Sequence, residues 1–180
     1  MKLTEECRAV ANYIIDEMNK FNIGKHLTER VFLSTKRLQK LLYLCDIEYM
    51  KRNNGQPMFG DDFYAWPSGP VIPNVYSELM IYQDGLLKPK YGKSPLMLSK
   101  KNKTMIDLVL ESTKDLDTID LVNMSSVVDG PWAKVFDPTD PKHKQIISKD
   151  DVYSYYLNKS SINKCNELTS DTKVLKLTKK

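Results

Sequence analysis

The segment Thr35–Tyr76, TKRLQKLLYLCDIEYMKRNNGQPMFGDDFYAWPSGPVIPNVY, leaves this chain the fewest ways to fold. It opens with a helical repeat. Leu38, Leu41, Leu42, Cys45 and Tyr49 fall on one stripe, predicting a helix over 35–52. Lys36, Arg37, Lys40, Lys51 and Arg52 make the rest of that helix strongly cationic. Asn53-Asn54-Gly55 then supplies residues that tolerate a left-handed stop. Asp61-Asp62 leads into Phe63-Tyr64-Ala65-Trp66, a β-prone aromatic run that predicts a short strand around 62–66. Alternation sends Phe63 and Ala65 to one face, Tyr64 and Trp66 to the other. Pro67-Ser68-Gly69-Pro70 reads as a stiff turn, because each proline fixes its own φ and restricts the residue before it. Pro73 suits the first turn of a helix over 73–83.

The flanking sequence is largely helical. Thr4 with Glu5 and Glu6 predicts the start of a helix over 5–21, and Val10, Ile14, Met18 and Phe21 give it an apolar face. Ser99 is a cap for a helix at 100–114 with Met105, Leu108, Val109 and Ser112 on one stripe. Residues 117–128 predict a further helix, capped by Thr118, with Ile119, Val122, Met124 and Val127 apolar. Gly130-Pro131-Trp132 restarts the chain, and Ser148 caps a last helix at 149–157. Residues 86–98, with Pro89, Gly92 and Pro95, read as irregular and are the expected place for a hairpin partner of the 62–66 strand. The fold class expected is mainly α: one compact helical domain over 1–157 with a small β element. Residues 158–180 read as a flexible, Lys-rich C-terminal tail.

Charge supports that division. The chain carries 27 Lys+Arg against 23 Asp+Glu, a net +4. Residues 158–180 hold six lysines against Glu167 and Asp171, which accounts for the whole excess and leaves the body neutral. Phosphate binding needs clustered cations, so nucleic acid is possible as a partner but not favoured. No apolar run is long enough to cross a bilayer. Three widely spaced cysteines make neither a disulfide framework nor a metal pair, and a reducing cytoplasm is expected.

The chemistry of an enzyme is not visible. His26 and His143 sit in polar loops, and Cys45 lies on an apolar helical stripe, where a packing role is expected. No phosphate loop, nucleophile elbow or HExxH is present. We expect no catalytic residue, no cofactor and no metal. The Trp66–Pro70 corner is different in kind. An aromatic beside two prolines and a glycine is a preorganised feature, the type that serves as a binding anchor or redirects the chain.

With these residues in view, the chain resembles the Panacea domain, the SocA-like antitoxin domain common in bacterial and prophage genomes. The likeness runs through Leu38, Lys40, Leu41 and Tyr43 in the second helix. It continues through Phe63, Ala65, Trp66, Gly69, Pro70, Val71, Val75 and Tyr76 at the strand and corner, and through Pro131-Trp132. Family members often carry a Ser/Thr-His segment before that late Pro-Trp; this chain reads SSVVDGPW. The resemblance implies an antitoxin that binds and neutralises a cognate protein toxin, in one mode as an adaptor to a ClpXP-type protease. It makes Lys36, Lys40, Tyr43, Trp66, Ser68, Gly69, Pro70, Tyr76 and Trp132 the candidate partner-binding residues. The alternative is a nucleic-acid-binding transcriptional regulator of phage or prophage origin, suggested by the cations of the second helix and the tail.

Overall fold

One helix organises the molecule. In the computed structural model, which describes residues 3–79, 87 and 98–159, α2 (Thr35–Arg52) is surrounded on several sides. It packs against α1 (Glu5–Phe21), α3 (Pro73–Leu79), α4 (Lys100–Thr113), α5 (Thr118–Ser125) and a small hairpin. α6 (Pro131–Val135) and a helix over 149–159, α7, complete seven helices among the described residues. The fold is mainly α with a small β element, as the sequence predicts. One apolar cluster draws on every part, from Val10 and Ile14 of α1 through Leu38, Leu41 and Leu42 of α2 to Ile106 of α4, Leu121 of α5 and Val152 of α7.

The caps explain why the helices start where they do. Thr4 Oγ1 accepts from the Cys7 N–H at 3.2 Å, Ser34 Oγ from Arg37 at 3.1 Å, and Ser99 Oγ from Asn102 at 3.1 Å. Ser148 does the same for α7. For α5 the cap is Asp117, which accepts from Asp120 at 2.8 Å, and not Thr118; its carboxylate also suits the positive end of the dipole. α2 ends at Asn54 and Gly55, both with positive φ. Gly55 has a second reason to lack a side chain: a Cβ there would lie 3.0 Å from the Tyr153 ring of α7.

The β element is a hairpin. β1 (Tyr64–Trp66) pairs antiparallel with β2 (Gly69–Val71), with Trp66 opposite Gly69. So the Pro67–Pro70 corner is only half turn: Pro67-Ser68 make the loop and Gly69-Pro70 begin a strand. Proline at the second turn position and glycine at the fourth, φ +90°, is the pattern of a type I turn leading into a bulge-like glycine. Pro70 stands opposite Ala65, whose N–H goes to Gln145 on the other edge at 2.9 Å, so the missing proline N–H removes no bond between the strands. With Ile147 N–H donating to Phe63 at 2.8 Å, residues 145–147 occupy the far edge of β1. Residues 86–98, the expected partner, fall almost wholly outside the described residues.

Three expectations are corrected. Arg37 and Lys40, read as part of the cationic side of α2 away from its apolar stripe, are buried along with Gln39 and Asp46, because α2 is covered on more than that stripe. Leu108, placed on the stripe of α4, and Ile119 and Met124, the apolar residues expected to define α5, are exposed; Leu121 and Ser125 are the residues α5 buries. The last helix, expected over 149–157, runs to 159. Residues 80–83 of the third predicted helix and 160–180 of the tail lie outside the described residues.

Candidate functional site

The buried polar side chains of α2 build the site from below. Gln39 forms a reciprocal pair with the backbone of Ile72: its Nε2 donates to the Ile72 carbonyl at 3.2 Å and its Oε1 accepts from the Ile72 N–H at 2.9 Å. Lys40 Nζ donates to the Pro70 carbonyl at 2.8 Å. Two adjacent residues of α2 therefore hold β2 and its exit by main-chain atoms, which defines the backbone whatever the side chains above it. From the other side, Trp132 Nε1–H donates to the Trp66 carbonyl at 2.9 Å, and its ring stacks on Phe136 at 4.5 Å.

What this frame presents is a cleft of about 250 Å³ lined by Lys36, Gln39, Lys40, Trp66, Pro67, Ser68, Val71 and Tyr76. Trp66 and Tyr76 meet edge to face at 5.1 Å, an arrangement aromatic quadrupoles favour. Pro67 and Lys36 are exposed, Tyr76 is 37% exposed, and Trp66 and Ser68 are half-buried. An aromatic pair beside an exposed cation is suited to holding a protein surface.

The nine candidates thus divide. Lys36, Trp66, Ser68 and Tyr76 line the cleft with accessible surface. Lys40 also lines it, but the residue is fully buried. Its ammonium lies against Pro70 and beside the space a Gly69 Cβ would fill, with Ser125 Oγ close by. None of those three lines the cleft, so the stem of Lys40 forms its floor. Burial, and then the charge of Lys36, lower the Lys40 ammonium to about 7. Gly69 and Pro70 are buried backbone, and Trp132 is a prop behind the corner. Tyr43 is also buried, edge to face with Phe63 at 5.0 Å. Burial pushes its hydroxyl far up, and that hydroxyl has no hydrogen-bond partner among the described residues. Reading by residue type missed Gln39 and Ser125; a lone Gln in a Lys-rich helix carries no signal of burial.

Other chemistry is sparse. Burial pushes the Cys7 and Cys45 thiols up, away from nucleophilic thiolate. His26 is exposed, and His143 lies over Phe136, ring centroids 6.3 Å apart. Among the described residues there is no group of three His, Cys, Asp or Glu that could hold a metal, and no helix long and apolar enough to cross a membrane.

The family model described as Antitoxin SocA-like, Panacea domain matches residues 38–133, just over half of the chain. The chain belongs to this antitoxin family. The match to the SocA-like Panacea family begins inside α2 and ends in α6, so it spans the hairpin, both tryptophans and every candidate residue except Lys36. α1 and α7 lie outside it and pack into the same core. No curated protein and no solved structure matches the chain.

Proposed function

We propose that this Panacea-domain protein neutralises a cognate protein toxin by binding it directly, with the cleft over the hairpin corner as contact surface. The observation behind this reading is the double anchoring of the corner. Gln39 and Lys40 hold its backbone from α2, Trp132 holds it from α6, and the accessible parts of Trp66, Pro67, Tyr76 and Lys36 stand above. Such a surface loses little freedom on binding, which is what makes an aromatic patch an effective anchor. Nothing in it calls for catalysis. Direct contact is the step shared by occlusion of a toxin and by its delivery to a ClpXP-type protease, and the working place of either is the cytoplasm.

A transcriptional regulator is the weaker reading. Its support was the cationic α2 together with the Lys-rich tail, whose residues 160–180 lie outside the described residues; on α2, Arg37 and Lys40 are buried and Lys51 and Arg52 are engaged with Glu48 at 3.1 and 2.7 Å. α2 does not present the basic stripe that DNA would require.

The test is co-expression with the adjoining reading frame. The expected result is growth arrest by that frame alone, rescue by this protein, and recovery of a complex of the two. Rescue that persists in a host without ClpXP-type protease assigns occlusion; rescue lost there assigns delivery. A harmless neighbour would contradict the proposal.

A further inference from the structure

A second surface lies along the same side of α2. Leu44 and Ile47 of α2, Leu108 and Val109 of α4, Met124 of α5 and Tyr156 of α7 line a largely apolar groove of about 390 Å³. Leu108 is 52% exposed, Met124 43% and the neighbouring Leu157 39%. Contiguous exposed apolar side chains of this size mark contact surfaces in proteins of this length. The groove runs on, through Arg52 and Leu108, into a depression of about 400 Å³ edged by Lys100 and Lys101. That end is basic by construction. The first turn of α4 holds no acid, although cations there oppose the helix dipole; α1 places Glu5 and Glu6 at the equivalent position. The rim's own acid, Glu48, is occupied by Lys51 and Arg52.

The groove and the corner cleft share a helix face. Lys36 and Ile47 differ by about three turns, ~16 Å along the axis, and point in nearly the same direction. α5 sits beside that face, with Ser125 near Gly69 and Met124 in the groove. One partner can therefore reach both.

Charge selects the occupant. The chain's own residues 160–180 carry Lys164, Lys173, Lys176, Lys179 and Lys180 against Glu167 and Asp171, a net positive segment that would meet like charge at Lys100 and Lys101. We propose that the groove is a second docking surface for the bound toxin, taking an amphipathic helix with acidic residues at the end that meets Lys100 and Lys101. This rests on the reading above that the chain holds a toxin.

The experiment uses the full-length chain and the purified product of the adjoining reading frame. Affinity is measured for wild type, Leu108→Glu and the double variant Lys100→Glu/Lys101→Glu, with amide hydrogen exchange on the wild-type complex. Leu108→Glu is expected to weaken binding by about tenfold or more with an unchanged melting temperature. The double variant is expected to weaken it several-fold, by a factor that shrinks as salt rises. Amides of α4 and α5 slow in the complex. Wild-type affinity in both variants, with slowed exchange confined to 63–76, overturns the groove and leaves the antitoxin reading intact. Absence of any complex overturns both. A dimer of this chain that Leu108→Glu dissolves without the toxin assigns the groove to a second copy and overturns the proposal.

Discussion

The inner side of α2 and the α4–α5 surface are mirror images in composition. On α2, Arg37, Gln39, Lys40 and Asp46 are polar and buried; on α4 and α5, Leu108, Ile119 and Met124 are apolar and exposed. Neither departs from helix geometry. The difference is what each side chain finds. Arg37, Gln39, Lys40 and Asp46 each reach backbone at a helix end, in a loop or in the hairpin, whereas the buried Tyr43 hydroxyl of the same helix finds no partner among the described residues. Arg37 donates to Leu116 and Thr113 at 2.7 and 3.0 Å, and Asp46 accepts from Met58 at 2.7 Å. A buried polar group so satisfied holds irregular structure in place. Leu108, Ile119 and Met124 stay largely open to solvent among the described residues.

That contrast breaks most visibly at Arg37. Arg37→Ala strands the Leu116 carbonyl, takes one of two donors from the Thr113 carbonyl, which keeps the Leu116 N–H at 3.2 Å, and should cost about 3 kcal/mol in urea unfolding. A loss below about 1 kcal/mol would mean that the buried guanidinium is not a tie. Gln39→Leu keeps the volume but leaves the Ile72 N–H unpaired, while the Ile72 carbonyl keeps the Tyr76 N–H at 3.1 Å, and about 2 kcal/mol is expected. Chemical-shift changes should centre on 69–76.

Lys40 sharpens the comparison through pH. Its folded value, about 7, lies below its unfolded one, so the unfolded chain binds the extra proton. Stability should therefore rise from pH 7 toward the ordinary lysine range, by at most about 1.4 kcal/mol per pH unit. The buried Cys7 and Cys45 thiols are shifted up and pull the other way above pH ~8.5. The quantity to follow is thus wild type minus Lys40→Met, which should climb through this window. A flat difference would show that the ammonium is solvated. The smallest effect belongs to the outer face: Leu108→Ser should change stability by less than about 0.5 kcal/mol. A large loss would make Leu108 core after all.

Much of the frame was legible in the sequence. Thr4, Ser99 and Ser148 announce their helices because a short hydroxyl before an apolar repeat has a local role that tertiary structure rarely overrides. The alternation of Phe63 to Trp66 likewise predicted which aromatics face the core, since period two leaves only two choices. What failed was every judgement that needed the number of neighbours around a helix. α2 is covered on several sides, so its lysine and arginine are inside. α4 and α5 lie at the margin, so an apolar stripe wider than their contact is left outside. The corner was found as a motif, but its division into loop and strand depends on which backbone pairs with which. Tyr43 shows the same limit: the family resemblance made it a candidate contact, and only packing reveals it buried.

The account stands on the corner being a rigid presenting surface, and the direct test is calorimetric affinity of the partner toxin for Trp66→Ala/Tyr76→Ala. The backbone anchors of Gln39, Lys40 and Trp132 are untouched by these changes, so the variant should remain folded by circular dichroism. The expected result is a loss of roughly thirtyfold or more. Wild-type affinity in a folded variant would contradict the account and remove the corner from the interface.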